Sequence, residues 1–291
     1  MTLGYVSMGE NEHSQRTEDW FEQRDPSTGA PVRFVERRRG DRRRSAKRLI
    51  EALPQHAEPL PTVSLIIPTK NEARNVAEVL ERLPDMVSEV VLVDTRSSDV
   101  TKLMASSARP DVRIIEEPRP GKGYALRAGL SAATGDVLVA MDSDGSMSPE
   151  EIPRFVLPLQ HGFDFTKGSR FMAGGGSLDI TLIRRLGNRA LVETVNLLFK
   201  IHFTDLCYGY FAIRRIFLEP LDLRSAGFEI ETEIILRAHV MGLRIAEVPS
   251  VELPRRTGTS GLRAGSDGVR ILRTILSEYR SSSKHTRSPE A

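Results

Sequence analysis

The chain holds one cysteine and one tryptophan in 291 residues, and aromatic residues make up only 6% of it. A lone Cys207 excludes an internal disulfide framework and suits a reducing compartment. No stretch approaches the run of about 20 apolar residues that spans a bilayer, and Met1 to Gln15 lacks the apolar core of a secretory signal. These absences predict a soluble, cytoplasmic protein. No large excess of one charge is present either. The formal net charge is +2, so the chain as a whole is not a polycation built for nucleic acid. Hydrophobic residues at 40% and charged residues at 27% are ordinary for a globular protein that buries a core.

The charge that is present is unevenly placed. Between Arg33 and Arg48 stand nine basic residues against only Glu36 and Asp41. Residues 1–61 are polar and lack sustained apolar periodicity, so they read as a partly disordered arm. Within it, Ser45 to Leu53 is compatible with a short helix, and Pro54, Pro59 and Pro61 with a linker. The basic cluster is either a solvated arm or an element that sits against anionic lipid headgroups. Residues 62–280 are expected to form a single domain, with 281–291 as a disordered tail.

Regular patterning begins at Val63. The runs Val63–Ile67, Val90–Val93, Val112–Ile115 and Val137–Met141 read as short buried strands. They alternate with helical stretches over Glu72–Leu83, Asp99–Ser107 and Gly123–Ala133. This alternation predicts an α/β fold with a mostly parallel, Rossmann-like sheet flanked by helices. Further on, Phe163–Thr166, Tyr208–Ile213 and Leu243–Val248 read as strands. Ile183–Phe199, Glu231–Met241 and Gly268–Tyr279 read as helices.

Polar residues fall at a regular place in this pattern. Asn71 with Glu72, Asp94, and Asp142 with Asp144 all follow the C-terminal ends of successive strands, the edge where open α/β sheets bind ligands. One acidic residue in a loop signifies only solubility, whereas three positions in register point to a site. Asp142 and Asp144, at i and i+2 before Gly145, can turn toward one oxygen-ligated Mg²⁺ or Mn²⁺ shared with substrate phosphates. Gly121-Lys122-Gly123 precedes a helix. It reads either as a plain turn or as a backbone approach with Lys122 facing a phosphate. It is neither a Walker loop nor a dinucleotide fingerprint.

Together these residues resemble family 2 glycosyltransferases of the GT-A fold. The matching segments are Pro68-Thr69-Lys70-Asn71-Glu72, Val93-Asp94 with Ser97 and Asp99, Gly121-Lys122-Gly123, and Asp142-Ser143-Asp144. Later segments, Gly168-Ser169-Arg170-Phe171, Arg184–Asn188, Asp205–Gly209 and Arg255–Ser260, look most like the polyprenyl-phosphate (dolichol-phosphate mannosyltransferase-like) branch and related bacterial enzymes. The resemblance implies a nucleotide-sugar donor, a divalent cation and an inverting transfer. It implies that Pro68 and Glu72 line the nucleotide site, with Lys70 between them as a further candidate, and that Asp94 helps hold the base. Asp142, Ser143 and Asp144 would serve metal, ribose and diphosphate, with Lys122 and Arg255 on the diphosphate. Arg170 and Arg184 would face acceptor or donor phosphate. The sequence departs from the pattern at Lys70, where an aromatic is usual, and at Thr95-Arg96, Ser146 and Gly261.

A hydroxyl acceptor requires a general base, and Glu231 and Glu233 are the candidates. Their alternative role is to stabilise a helix N-terminus. The Ile183–Phe199 helix either packs on the core or lies at an interface that admits a lipid-phosphate chain, since Arg184, Arg185, Arg189 and Lys200 flank it. The acceptor is therefore expected to be a lipid phosphate or a small molecule, with peripheral membrane association as one option and no nucleic-acid partner. Two other functions fit parts of the pattern. One is a nucleotide-sugar-binding protein with weakened catalysis. The other is a sugar-nucleotide pyrophosphorylase, which requires a glycine-rich basic loop where Pro68-Thr69-Lys70-Asn71-Glu72 stands.

Overall fold

The computed structural model describes residues 20–24, 31–37, 61–255 and 263–285. The β-strands are β1 (Trp20–Arg24), β2 (Pro31–Arg37), β3 (Val63–Thr69), β4 (Val87–Asp94), β5 (Arg113–Glu116), β6 (Val137–Ala140), β7 (Phe165–Ser169), β8 (Gly176–Ser177), β9 (Phe211–Arg214), β10 (Ile245–Pro249) and β11 (Val251–Glu252). The helices are α1 (Val76–Glu81), α2 (Thr101–Ala108), α3 (Lys122–Ala132), α4 (Ile152–Gln160), α5 (Leu182–Phe199), α6 (Ile230–Val240) and α7 (Ala264–His285).

The large sheet has the order β1-β2-β10-β7-β9-β6-β3-β4-β5. Only β2 and β9 run against the others, because β2 pairs antiparallel with β1 and β10, and β9 with β6 and β7. The mostly parallel α/β sheet expected from the sequence is therefore present. Alternate residues of the central strands serve opposite faces. Ile66, Val91, Val93 and Leu138 pack under α3, α5, α6 and α7, while Leu65, Ile67, Leu92 and Val139 pack under α1, α2 and α4. Burial on both faces explains why these strands read as continuous apolar runs rather than alternating ones.

Several elements differ from the sequence reading. Helix α1 starts at Val76 and not at Glu72, because Asn71 adopts a left-handed backbone (φ 57°) and the loop hangs on the next one. Asn71 N donates to Ser97 Oγ at 2.9 Å, and Ser98 N to Asn71 Oδ1 at 2.8 Å. Helix α4 has no counterpart in the reading. Its Pro153 and Pro158 mask an i, i+3, i+4, i+7 core face of Ile152, Phe155, Val156 and Leu159. Strands β1 and β2 come from the segment read as an arm and extend the sheet beyond β10. Helix α7 runs on to His285, into the stretch read as a tail. Residues 38–60, with most of the arginine cluster, the Ser45–Leu53 helix and the proline linker, lie outside the described residues, as do residues 256–260 of the Arg255–Ser260 segment.

Candidate active site

The C-terminal ends of the parallel strands converge as the sequence predicted. Thr69 at the end of β3 is paired with Asp94 at the end of β4, and Asp94 with Glu116 of β5. Asp94 is 2% exposed. One of its carboxylate oxygens accepts from Ser97 N at 3.1 Å, while the other is buried without a hydrogen-bond partner among the described residues. An unpaired buried acceptor is costly, and a donor such as the N–H edge of a nucleobase would satisfy it. Pro68 is half-buried and its carbonyl accepts from Ser143 Oγ at 3.1 Å, which ties the β3 loop to the β6 loop. Lys70 is exposed.

After β6 the chain presents Asp142-Ser143-Asp144. Asp144 is held by Ser146, whose N and Oγ donate to Oδ1 at 3.0 and 2.7 Å. Its Oδ2 stands 2.8 Å from Arg255 Nε, an ion pair without the alignment of a hydrogen bond. Arg255 also lies 3.6 Å from Asp179, a residue that no sequence motif singled out. Glu72 belongs to the same cluster. Burial raises its carboxyl above the ordinary value, as do the negative charges of Asp144 and Asp142, against a hydrogen bond from Asn75 and the charge of Arg255.

Lys122 opens α3 and is the second cation of the site. Its ammonium lies 2.6 Å from Asp142 Oδ1 and 2.6 Å from Glu231 Oε1. Burial opposes the charge, but the Asp142 and Glu231 carboxylates outweigh it and hold the ammonium well above its ordinary pKa. The flanking glycines serve the fold. A Cβ on Gly121 would come within 2.2 Å of the Ala226 carbonyl oxygen, and one on Gly123 within 2.3 Å of that of Ser225. Gly123 N donates to Ala226 O at 2.9 Å. The close approach expected of these glycines is thus made by the chain's own 225–226 backbone.

The two candidate bases separate. Glu231 stays in the cluster through Lys122. Glu233 is turned away and is 2% exposed. Its carboxylate accepts from Arg224 N at 3.0 Å and Ser225 N at 2.8 Å and pairs with Arg237 at 2.9 Å. It anchors a loop and has no free face for proton abstraction, which corrects its placement among the catalytic candidates.

Arg170 is also corrected. It is buried, and every nitrogen of its guanidinium is engaged. Nε and one Nη meet Asp205 at 2.8 and 3.1 Å, and that Nη also donates to the Cys207 carbonyl at 2.8 Å. The other Nη meets Glu252 at 3.1 Å. Four of its five N–H donors are taken in this way, and at 7% exposure it presents no open face to a substrate phosphate. Arg184 sits in the first turn of α5, where its N–H donates to the N-capping Thr181 Oγ1 at 3.4 Å. Cys207 keeps some solvent contact, yet burial and the charges of Asp205 and Glu231 push its thiol up to about 12.

The donor set fits a divalent cation. Asp142 and Asp144 are hard oxygen ligands, and Mg²⁺ is commonly bound through one or two carboxylates plus substrate phosphates. Among the described residues, no group of three Asp, Glu, His or Cys side chains is placed to hold a metal ion. The cluster has a surplus of negative charge among the described residues: Glu72, Asp142, Asp144, Asp179 and Glu231 are met by Lys122 and Arg255, and the Asp144 and Asp142 charges add to the burial that raises the Glu72 pKa.

Comparison with known proteins gives the family and the fold. The model of glycosyl transferase family 2 matches residues 64–221. A dolichol-phosphate mannosyltransferase of Pyrococcus furiosus is 32% identical over 210 residues, covering 69% of this chain and 59% of that one. An undecaprenyl-phosphate mannosyltransferase of Micrococcus luteus is 32% identical over 222 residues, covering 72% and 91%. The chain thus spans well under two thirds of the Pyrococcus enzyme and most of the Micrococcus one. Among solved structures, the glucosyl-3-phosphoglycerate synthase of Mycobacterium tuberculosis, in complex with Mn²⁺, UDP-glucose and phosphoglyceric acid, superposes with a TM-score of 0.62. It is 25% identical, and the match covers 76% of this chain and 80% of that one. The fold is GT-A, and the chain belongs to glycosyl transferase family 2.

Proposed function

We propose that this protein transfers a sugar, with inversion, from a nucleotide-sugar donor to a polyprenyl phosphate. The donor half of the reading rests on one cluster, Asp142, Asp144 and Glu72 gathered with Lys122 and Arg255, and on Asp94 with its buried unpaired oxygen at the end of β4, across β3 from the β6 loop. Asp94 would accept a hydrogen bond from the base. Asp142 and Asp144 would hold Mg²⁺ or Mn²⁺, which when bound neutralises charge on the departing diphosphate. Lys122 and Arg255 would add two cations aimed at the same leaving group.

The acceptor half rests on Glu231. One oxygen of its carboxylate is taken by the Lys122 ammonium at 2.6 Å, a geometry that suits a group that orients its neighbours more than one that must reach an acceptor hydroxyl. A phosphate acceptor is already ionised and requires no base, so Glu231 would orient groups. The relatives named as polyprenyl-phosphate mannosyltransferases favour the same acceptor class. Leu178, Leu182, Ile183 and Leu186 are 58–73% exposed near Asp179, with Arg185 and Arg189 exposed among them. Such a face suits an anionic bilayer surface. No helix of the described residues is long and apolar enough to cross a membrane.

The test is a donor-by-acceptor screen with Mg²⁺ or Mn²⁺, in which nucleotide sugars are paired with polyprenyl phosphates and with small hydroxyl acceptors. Sugar is expected to appear on the lipid phosphate. Transfer to a hydroxyl alone overturns the acceptor class. Binding of donor without any transfer or hydrolysis favours a donor-binding protein with weakened catalysis.

A further inference from the structure

Arg170 directly follows β7, and its contacts lead to the 205–207 segment and to β11. Asp205 takes two of its nitrogens, and the third reaches Glu252 on β11. All three side chains are buried. Glu252 also accepts a hydrogen bond from Ser177 Oγ on β8. β8 and β11 form their own two-stranded sheet, with Glu252 paired to Ser177, and Leu178 N donates to Glu252 O at 2.9 Å. The Glu252 carboxylate therefore joins β7, β8 and β11 at one point.

Each short strand leads directly into a charged residue of the donor cluster. Asp179 lies two residues beyond the end of β8, and Arg255 three residues beyond the end of β11. These two meet each other at 3.6 Å, and Arg255 meets Asp144 at 2.8 Å. The β11 segment is held from its other side too. Val251 N donates to Glu151 at 3.2 Å, Ser250 Oγ donates to the same carboxylate, and Leu253 N donates to the Ser146 carbonyl at 2.8 Å. Ser146 in turn holds Asp144. Arg170 and Asp144 are thus connected through Glu252, the three-residue span to Arg255 and the Arg255–Asp144 ion pair, with the Leu253–Ser146 hydrogen bond bracing that span.

We propose that Arg170 is a positioning residue of the donor site: through Glu252 it fixes the β8–β11 clasp and so aims Arg255 at Asp144. The role requires arginine. A guanidinium offers five donors in a planar fork and spans Asp205, Glu252 and the Cys207 carbonyl together, which a lysine ammonium on a flexible stem does not reproduce. The inference rests on the reading of Arg255 and Asp144 as donor-diphosphate residues.

The experiment is a double-mutant cycle on the full chain, read by calorimetry with Mn²⁺ and UDP, and with Mn²⁺ and GDP in parallel. Arg170→Lys, Glu252→Gln and Arg255→Ala are measured singly, and the first two again in the Arg255→Ala background. Thermal unfolding is recorded for each. Arg255→Ala alone is expected to weaken nucleotide binding on the order of tenfold. Arg170→Lys and Glu252→Gln are expected to weaken it severalfold in the native background and by nothing further once Arg255 is gone. Glu252→Gln keeps the shape of the buried site and carries the test if Arg170→Lys does not fold. Equal losses with and without Arg255 overturn the positioning role and leave the donor reading intact. Native affinity in Arg255→Ala overturns both.

Discussion

The Lys122 ammonium stands 2.6 Å from Asp142 Oδ1, so a helix-opening lysine is joined directly to the loop that carries the candidate metal ligands. The same nitrogen meets Glu231 at 2.6 Å. Lys122→Ala would leave two carboxylates facing one another with no cation between them. Losing one member of a largely buried ionic cluster costs about 3 kcal/mol, to be read as a fall in the urea midpoint with an unchanged m-value. Because the folded pKa lies above the ordinary lysine value, this stabilisation is fully present below the ordinary lysine value for as long as the partner carboxylates are ionised. On the alkaline side it is lost as pH rises through the folded pKa. Stability attributable to Lys122 is therefore expected to be flat between about pH 6 and 9, checked by urea titrations of native and Lys122→Ala protein.

Glu231→Gln separates orientation from base catalysis. If the carboxylate only orients groups, kcat with a polyprenyl phosphate falls by less than about tenfold. A general base would cost about 10²–10⁴. The pH–rate profile of the variant is expected to keep the native acidic limb.

Glu72 carries a stability cost at neutral pH. Its folded pKa is raised above the ordinary carboxylate value of 4.5, first by burial and then by Asp144 and Asp142. The folded state thus binds more protons than the unfolded one, and its contribution worsens as pH rises through and above that value. Glu72→Gln is expected to raise Tm at pH 7, with the gain shrinking as pH is lowered toward 4.5, while nucleotide binding weakens. A lower Tm at pH 7 contradicts this.

Cys207 is expected to resist alkylation. With its thiol pushed up to about 12, almost no thiolate exists at pH 8, and the thiolate is the reactive species. Iodoacetamide at pH 8 should leave the native protein unlabelled over a period that labels urea-unfolded protein, as read by intact mass.

The central strands and their terminal acidic residues were legible because each is a local signal: an apolar run buried on both faces, ended by Asp94 or Asp142. α5 was legible from its apolar spacing, and it starts one residue before the expected Ile183. α4 was not, because Pro153 and Pro158 argue against a helix although Pro153 sits in its first turn and Pro158 near its end. β8 and β11 have two residues each and leave no periodicity to find. The site residues that moved did so because of partners outside their own motifs. Arg170 is drawn inward by Asp205 and Glu252, 35 and 82 positions away. Glu233 is drawn to the backbone of Arg224 and Ser225. Motif spacing places a backbone at a site, while the direction of a charged side chain depends on counter-charges that only the fold brings near.

The proposed grip of Asp142 and Asp144 on a divalent cation, against a nucleotide diphosphate, is tested most directly by donor-sugar turnover. Native protein and Asp144→Ala are compared, with Mn²⁺ titrated back after chelation. Native turnover is expected to vanish with chelator and return with Mn²⁺, and Asp144→Ala to lose at least about 10²-fold at every Mn²⁺ concentration. Native turnover undiminished by chelator, or an Asp144→Ala variant as active as native protein, would contradict the metal-and-diphosphate role.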